Sequence, residues 1–170
     1  MVIMMKVMRT ILMLLVAVQA NAEEISIPEN IQVPEDGKLA LKVDARGYQV
    51  YECVIRDEKH HWQLKAPDAV LYDQNGQGVG SHSAGPTWKF NDGSLVTGML
   101  LEKADASGGK SIPWLLVKIT GHKGQGVLST INYINRANTQ GGLQPEKGCN
   151  ENHPGRIEKV AYRASYYFYQ

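Results

Sequence analysis

Net charge and cysteine are scarce in this 170-residue chain, and sustained helical periodicity is missing beyond its first two dozen residues. With 18 Lys+Arg against 17 Asp+Glu, it has no general electrostatic reason to seek nucleic acid or an anionic lipid surface. Gly76-Gln77-Gly78-Val79-Gly80 has the wrong spacing for a dinucleotide-binding turn, and no strand–glycine turn–helix unit with an acidic residue downstream is present. No Gly-x-Ser-x-Gly nucleophile elbow occurs. The histidines (His60, His61, His82, His122 and His153) show neither His-x-His nor His-x-x-x-His spacing, so no metal or cofactor is called for. Internal repeats and low-complexity tracts are absent as well. Apolar and aromatic residues nonetheless run throughout the chain, which disfavours a disordered protein and suits one domain with one core.

What is present first is an address. Lys6 and Arg9 precede the apolar stretch Ile11–Val18, and Ala20-Asn21-Ala22 offers small residues at a cleavage site. Residues 1–22 therefore read as a signal peptide, followed by an extended lead-in over 23–38 and a single β-domain over 39–170. The apolar stretch falls short of the roughly 20 residues a spanning helix requires. The expectation is an exported protein, periplasmic or extracellular, with no stable membrane insertion after cleavage. Cys53 and Cys149 fit that address, because two cysteines in an exported chain usually pair. The alternative is two buried free thiols.

Between turn signals lie short runs suited to strands. Leu39–Val43 alternates and is broken at Asp44–Gly47; Tyr48–Ile55 is rich in β-formers; Trp62 and Leu64 alternate before Ala66-Pro67-Asp68. Ala69–Tyr72 precedes the Asn75-Gly76 turn pair, and Pro86–Phe90 leads into Asn91-Asp92-Gly93. Leu95–Leu101, Ile112–Ile119, Val127–Ile134 and Val160–Tyr169 complete the set. These runs predict an all-β domain of roughly eight or nine strands, an antiparallel β-sandwich or β-barrel. An outer-membrane barrel is the specialised alternative, disfavoured by short runs and recurring lysines.

The motifs Gly47–Cys53, Ala66–Leu71, Gly80–Trp88, Asp92-Gly93-Ser94, Ser111–Leu116, Ile134-Asn135-Arg136 and Asn138–Gly142 follow in order, with Tyr162–Tyr169 closing the chain. This set resembles the domain-of-unknown-function family 3455, secreted proteins of bacteria and filamentous fungi, over nearly all of residues 39–169. The resemblance implies an exported single domain without an established activity. A malate dehydrogenase label carried by some fungal relatives finds no physical support in these residues.

Two places could carry chemistry. His82, Trp88 and Trp114 suit a pocket with a ligand-binding imidazole and stacking walls, presented by the Gly85-Pro86 loop. Arg136, after Tyr133-Ile134, could hold a ligand carboxylate or phosphate, pair internally with Asp92 or Glu52, or simply lie in solvent. His82, Trp88, Trp114 and Arg136 are the candidate ligand-binding residues; no residue is assigned as catalytic. The leading expectation is a non-enzymatic module that binds a small molecule or an envelope or extracellular partner. A hydrolase using His82 with Asp92 and Ser83 or Ser94 is the alternative from another class, and a purely structural envelope protein is the third.

Overall fold

Period-two alternation carries the chain through eight antiparallel strands that close on themselves. In the computed structural model, which describes residues 25–170, these are β1 (Leu39–Arg56), β2 (Lys59–Tyr72), β3 (Gly78–Ser83), β4 (Thr87–Phe90), β5 (Leu95–Ala104), β6 (Trp114–Lys123), β7 (Tyr133–Gly141) and β8 (Ile157–Tyr169). The leader expected over 1–22 lies outside the described residues. Each strand pairs with its neighbours in sequence, and β8 pairs with β1, from Leu39 opposite Tyr169 to Glu52 opposite Ile157. Of sandwich and barrel, the protein is the barrel.

The strand boundaries differ from the sequence reading in four places. β1 does not break at Asp44–Gly47, because the alternation continues through it. Val43, Ala45, Gln49, Tyr51 and Cys53 are buried, while outward Asp44 accepts the Ser165 hydroxyl at 2.8 Å and Arg46 lies over the Tyr72 ring. Gly47 belongs to this strand because its backbone approaches β2 closely, and a Cβ there would collide with Asp68 O and Ala69. β2 likewise runs through Ala66-Pro67-Asp68. Its pairing with β3 starts only at Ala69, so Pro67 has no ladder partner to deprive on that side, and a bulge at Val50/Tyr51 lies close by. Gly78–Ser83, to which no strand run was assigned, is β3. Finally, residues 127–132 turn rather than extend, and β7 begins at Tyr133.

Large inward side chains fill the barrel, with Trp88, Phe90, Leu71, Tyr166, Phe168 and Ile134 among the most buried. Outward positions carry Lys42, Asp44, Arg46, Lys89, Lys118 and Arg163, all exposed. Charge outside and an apolar interior are the reverse of a barrel that faces lipid. No helix among the described residues is long and apolar enough to cross a membrane. Part of the outside is covered by the lead-in, whose short 3-10 turn Glu29–Ile31 buries Ile31 completely and is tied to β7 by Asn135 Nδ2 donating to Ile31 O at 2.8 Å.

Up-and-down connectivity gives the barrel two unlike ends. At the first, the loop between β6 and β7 folds inward and buries Leu128 and Ile131 completely as a plug. Asp92 clamps that plug: Oδ1 accepts from Ser94 N at 2.9 Å and the Ser94 hydroxyl at 2.6 Å, and Oδ2 accepts from Val127 N at 2.8 Å. Gly126, at φ 147°, lets the loop pass, since the Asp92 carboxylate occupies the place of any Cβ. At the second end, the β1–β2 hairpin projects past β3, and the long β7–β8 connection folds against it. The Cys53–Cys149 disulfide joins the two, with Trp62 Nε1 donating to Lys147 O at 3.1 Å and Tyr51 donating to Gly142 O at 2.6 Å.

Candidate functional site

The second end is not filled. A cavity of about 240 Å³ opens there, between the β2 bulge and the β3–β4 turn. Its position follows from strand length: β3 and β4 are short, so β2 has no neighbour beyond Ala69, and Leu64 and Pro67 face the gap. Among the expected site residues, His82, Trp88 and Arg136 all line this cavity. Trp114 does not. Leu115, next in the chain, is a lining residue, and alternation along β6 directs Trp114 to the other face of the sheet. Pro86, of the loop expected to present the pocket, lines it too, and Gln49, Tyr166 and Leu100 do so without having been singled out. The signal for Gln49 was available, as the one polar residue on the inward parity of Tyr48–Ile55.

His82 and Trp88 sit opposite each other on β3 and β4, with their rings stacked 4.4 Å apart and 14° from parallel. Tyr166 from β8 meets both edge-on, at 5.2 Å and 5.8 Å between centroids. Nδ1 of His82 lies 2.9 Å from Thr87 O. A carbonyl only accepts, so Nδ1 carries the proton and Nε2 keeps a lone pair. Burial holds the imidazole pKa down at about 4; the Thr87 bond opposes this shift and the Arg136 charge reinforces it.

That depression has a measurable consequence. An unfolded chain protonates His82 near its ordinary 6.5, whereas the native protein stays neutral until about 4. Stability tied to this group is therefore complete above pH 6.5 and is lost as pH falls through that window, by about 3 kcal/mol in all. Urea titrations at neutral pH and at pH 4 check this. The stability of wild type relative to His82→Gln should fall by that amount, and a difference that stays flat with pH would contradict a buried neutral imidazole.

Arg136 lies between Leu115 of β6 and Tyr166 of β8 and is only 8% exposed. Its Nε and Nη2 both donate to Pro113 O, at 3.2 Å and 2.8 Å. Neither internal partner considered from sequence meets it. Glu52 pairs with Lys65 at 2.8 Å, and Asp92 is engaged by Ser94 and Val127. The guanidinium charge reaches across this end of the barrel. Burial raises the pKa of Tyr51, Tyr162 and Tyr166, and Arg136 opposes the rise at each.

The hydrolytic relay is not assembled. His82 Nδ1 is taken by Thr87 O rather than by Asp92, and the Ser94 hydroxyl is fully buried in the clamp on the plug. Ser83 is exposed on the opposite face from its neighbour His82. Among the described residues, no cluster of histidine, cysteine and carboxylate side chains could hold a metal ion.

No curated protein and no solved structure matches the chain. One family model, described as Protein of unknown function (DUF3455), matches residues 34–170, and the chain belongs to that family.

Proposed function

We propose that the protein is an exported, non-enzymatic binding module that takes a small ligand into the open end of its barrel. One observation carries this reading. The other end of the barrel is plugged by Leu128 and Ile131, whereas here an open volume is lined by His82, Trp88 and Arg136, groups that are costly to bury. Trp88 Nε1 and Gln49 Nε2, on residues of the same lining, are buried without a hydrogen-bond partner. A core meant only for stability has no use for such groups; a ligand gives them a purpose. The disulfide and the leader together support an extracytoplasmic place of work. Catalysis is disfavoured by the partners already taken by His82, Asp92 and Ser94.

The test is a small-molecule thermal-shift screen on the wild type and on His82→Ala. A ligand of the cavity raises the wild-type midpoint and does so much less for the variant. A screen in which no compound tells the two proteins apart would remove the site as drawn.

A further inference from the structure

The cavity has a sign. Its lining holds the cations Arg136 and Lys65 and no aspartate or glutamate. Lys65 stands at the exposed rim and is neutralised by Glu52, so the uncompensated charge is that of Arg136. No acidic side chain pairs with Arg136 among the described residues, and its Nη1 makes no hydrogen bond there. One neutral carbonyl, Pro113 O, is a poor answer to the charge of an arginine that is only 8% exposed as a residue. An isolated cation at such depth costs several kcal/mol unless a counter-charge arrives.

The hydrogen-bond inventory leans the same way. Trp88 Nε1 and Gln49 Nε2 are unmet donors on lining residues, while His82, its Nδ1 proton given to Thr87 O, keeps a lone pair on Nε2. The rest of the lining is apolar, with Leu64, Pro67, Pro86, Leu100, Leu115 and Val117 extending to the rim. Resting on the reading that this cavity binds a small ligand, we infer that the ligand is a small monocarboxylate. Its carboxylate seats on the free edge of Arg136, and its apolar body points toward Leu64, Pro86 and Leu100. The single buried cation argues for a single charge, because a dianion would keep one charge uncompensated away from water. The volume, about 240 Å³, limits the body to a single ring or a short chain.

Calorimetric titration of the purified, disulfide-bonded protein at neutral pH decides this, with benzoate and hexanoate set against benzamide, hexanamide and inorganic phosphate. At least one acid should bind about tenfold to a hundredfold more tightly than its own amide. Arg136→Gln should bring acid and amide to within about threefold of each other, the acid losing the more, and Arg136→Lys, which keeps the charge but not the fork, should retain part of the preference. Should Arg136→Gln fail to fold, the half-exposed rim offers Leu100→Trp, which narrows the mouth and should weaken acid binding without touching the Pro113 bonds. Equal affinity for acid and amide overturns the carboxylate while the small-ligand reading survives. Phosphate binding tighter than either acid overturns it too, as does silence from all five probes; the broader reading then stands or falls on the thermal-shift screen.

Discussion

The variant carrying Cys53→Ala and Cys149→Ala should lose about 4–5 kcal/mol of stability, the amount that closing a loop of this length removes from the unfolded chain's freedom. The bond spans 96 residues, from the projecting end of β1 to the β7–β8 connection, and so encloses most of the barrel. Little else fixes that connection. Cys53 exchanges backbone bonds with the far side of it, its N donating to Arg156 O at 2.8 Å and its O accepting from Gly155 N at 2.9 Å. Tyr51 and Trp62 reach it at Gly142 and Lys147. The small cluster of Tyr51, Cys53 and Trp62, with Cys149 and Val160 against it, is separate from the main core. Without the sulfur bridge this cluster has few contacts of its own to stand on. Urea titration of the variant beside the oxidised wild type measures the loss, which corresponds to about 10–15 °C in melting temperature. A loss below about 1 kcal/mol would mean that the connection is held by its hydrogen bonds and that the unfolded chain is already compact.

Much of the architecture is written locally. Tyr48–Ile55 and Val160–Tyr169 alternate as half-buried strands must, and they sit inside β1 and β8. Asn75-Gly76 and Asp92-Gly93 fall in the turns after β2 and β4. Closure of the barrel is not local. β1 meets β8 across more than a hundred residues, and no turn chemistry specifies that register. For the same reason Asp44–Gly47 looks like a break. Asp44 and Arg46 are poor strand formers until Ser165 and Tyr72 arrive from distant strands to satisfy them.

At the site, the Gly80–Trp88 stretch was unusual enough to point to His82 and Trp88, and Arg136 stood out as a cation between an apolar pair and a glycine-ended loop, with nothing to tell a ligand contact from an internal pair or a solvated side chain. Trp114 could not be told from Leu115, since both are apolar and a shift of one residue exchanges the faces of the sheet. Gln49 and Tyr166 belong to patterns legible along their own strands. That they line one cavity with Arg136 is a fact of closure, and closure is what a single sequence hides.

Trp88→Ala is expected to cost about 4 kcal/mol, the range for deleting a large aromatic side chain from a packed interior. The indole is 1% exposed, stacked on His82 and met edge-on by Tyr166. Gly98, on the adjoining strand β5, lies beside it: a Cβ there would meet the indole ring at 3.5 Å, an ordinary contact, but collide with Val117 Cγ1 at 2.5 Å. Collapse into the vacated space is resisted by the surrounding sheet, whose strands are fixed by their ladders, so the void persists. Two effects temper the cost. The unpartnered Nε1–H disappears with the ring, and the void joins a cavity already open at the mouth, so water enters where a sealed hole would stay dry. Trp88→Phe separates packing from polarity. It keeps an aromatic face for His82 and drops the unmet donor, and should cost no more than about 1.5 kcal/mol. Urea midpoints for both variants, compared with the wild type at pH 7, give the two values. Equal losses for alanine and phenylalanine would mean that the indole edge, rather than the bulk of the ring, holds this end of the barrel in shape, and the ring would then have to be counted among the polar groups of the site.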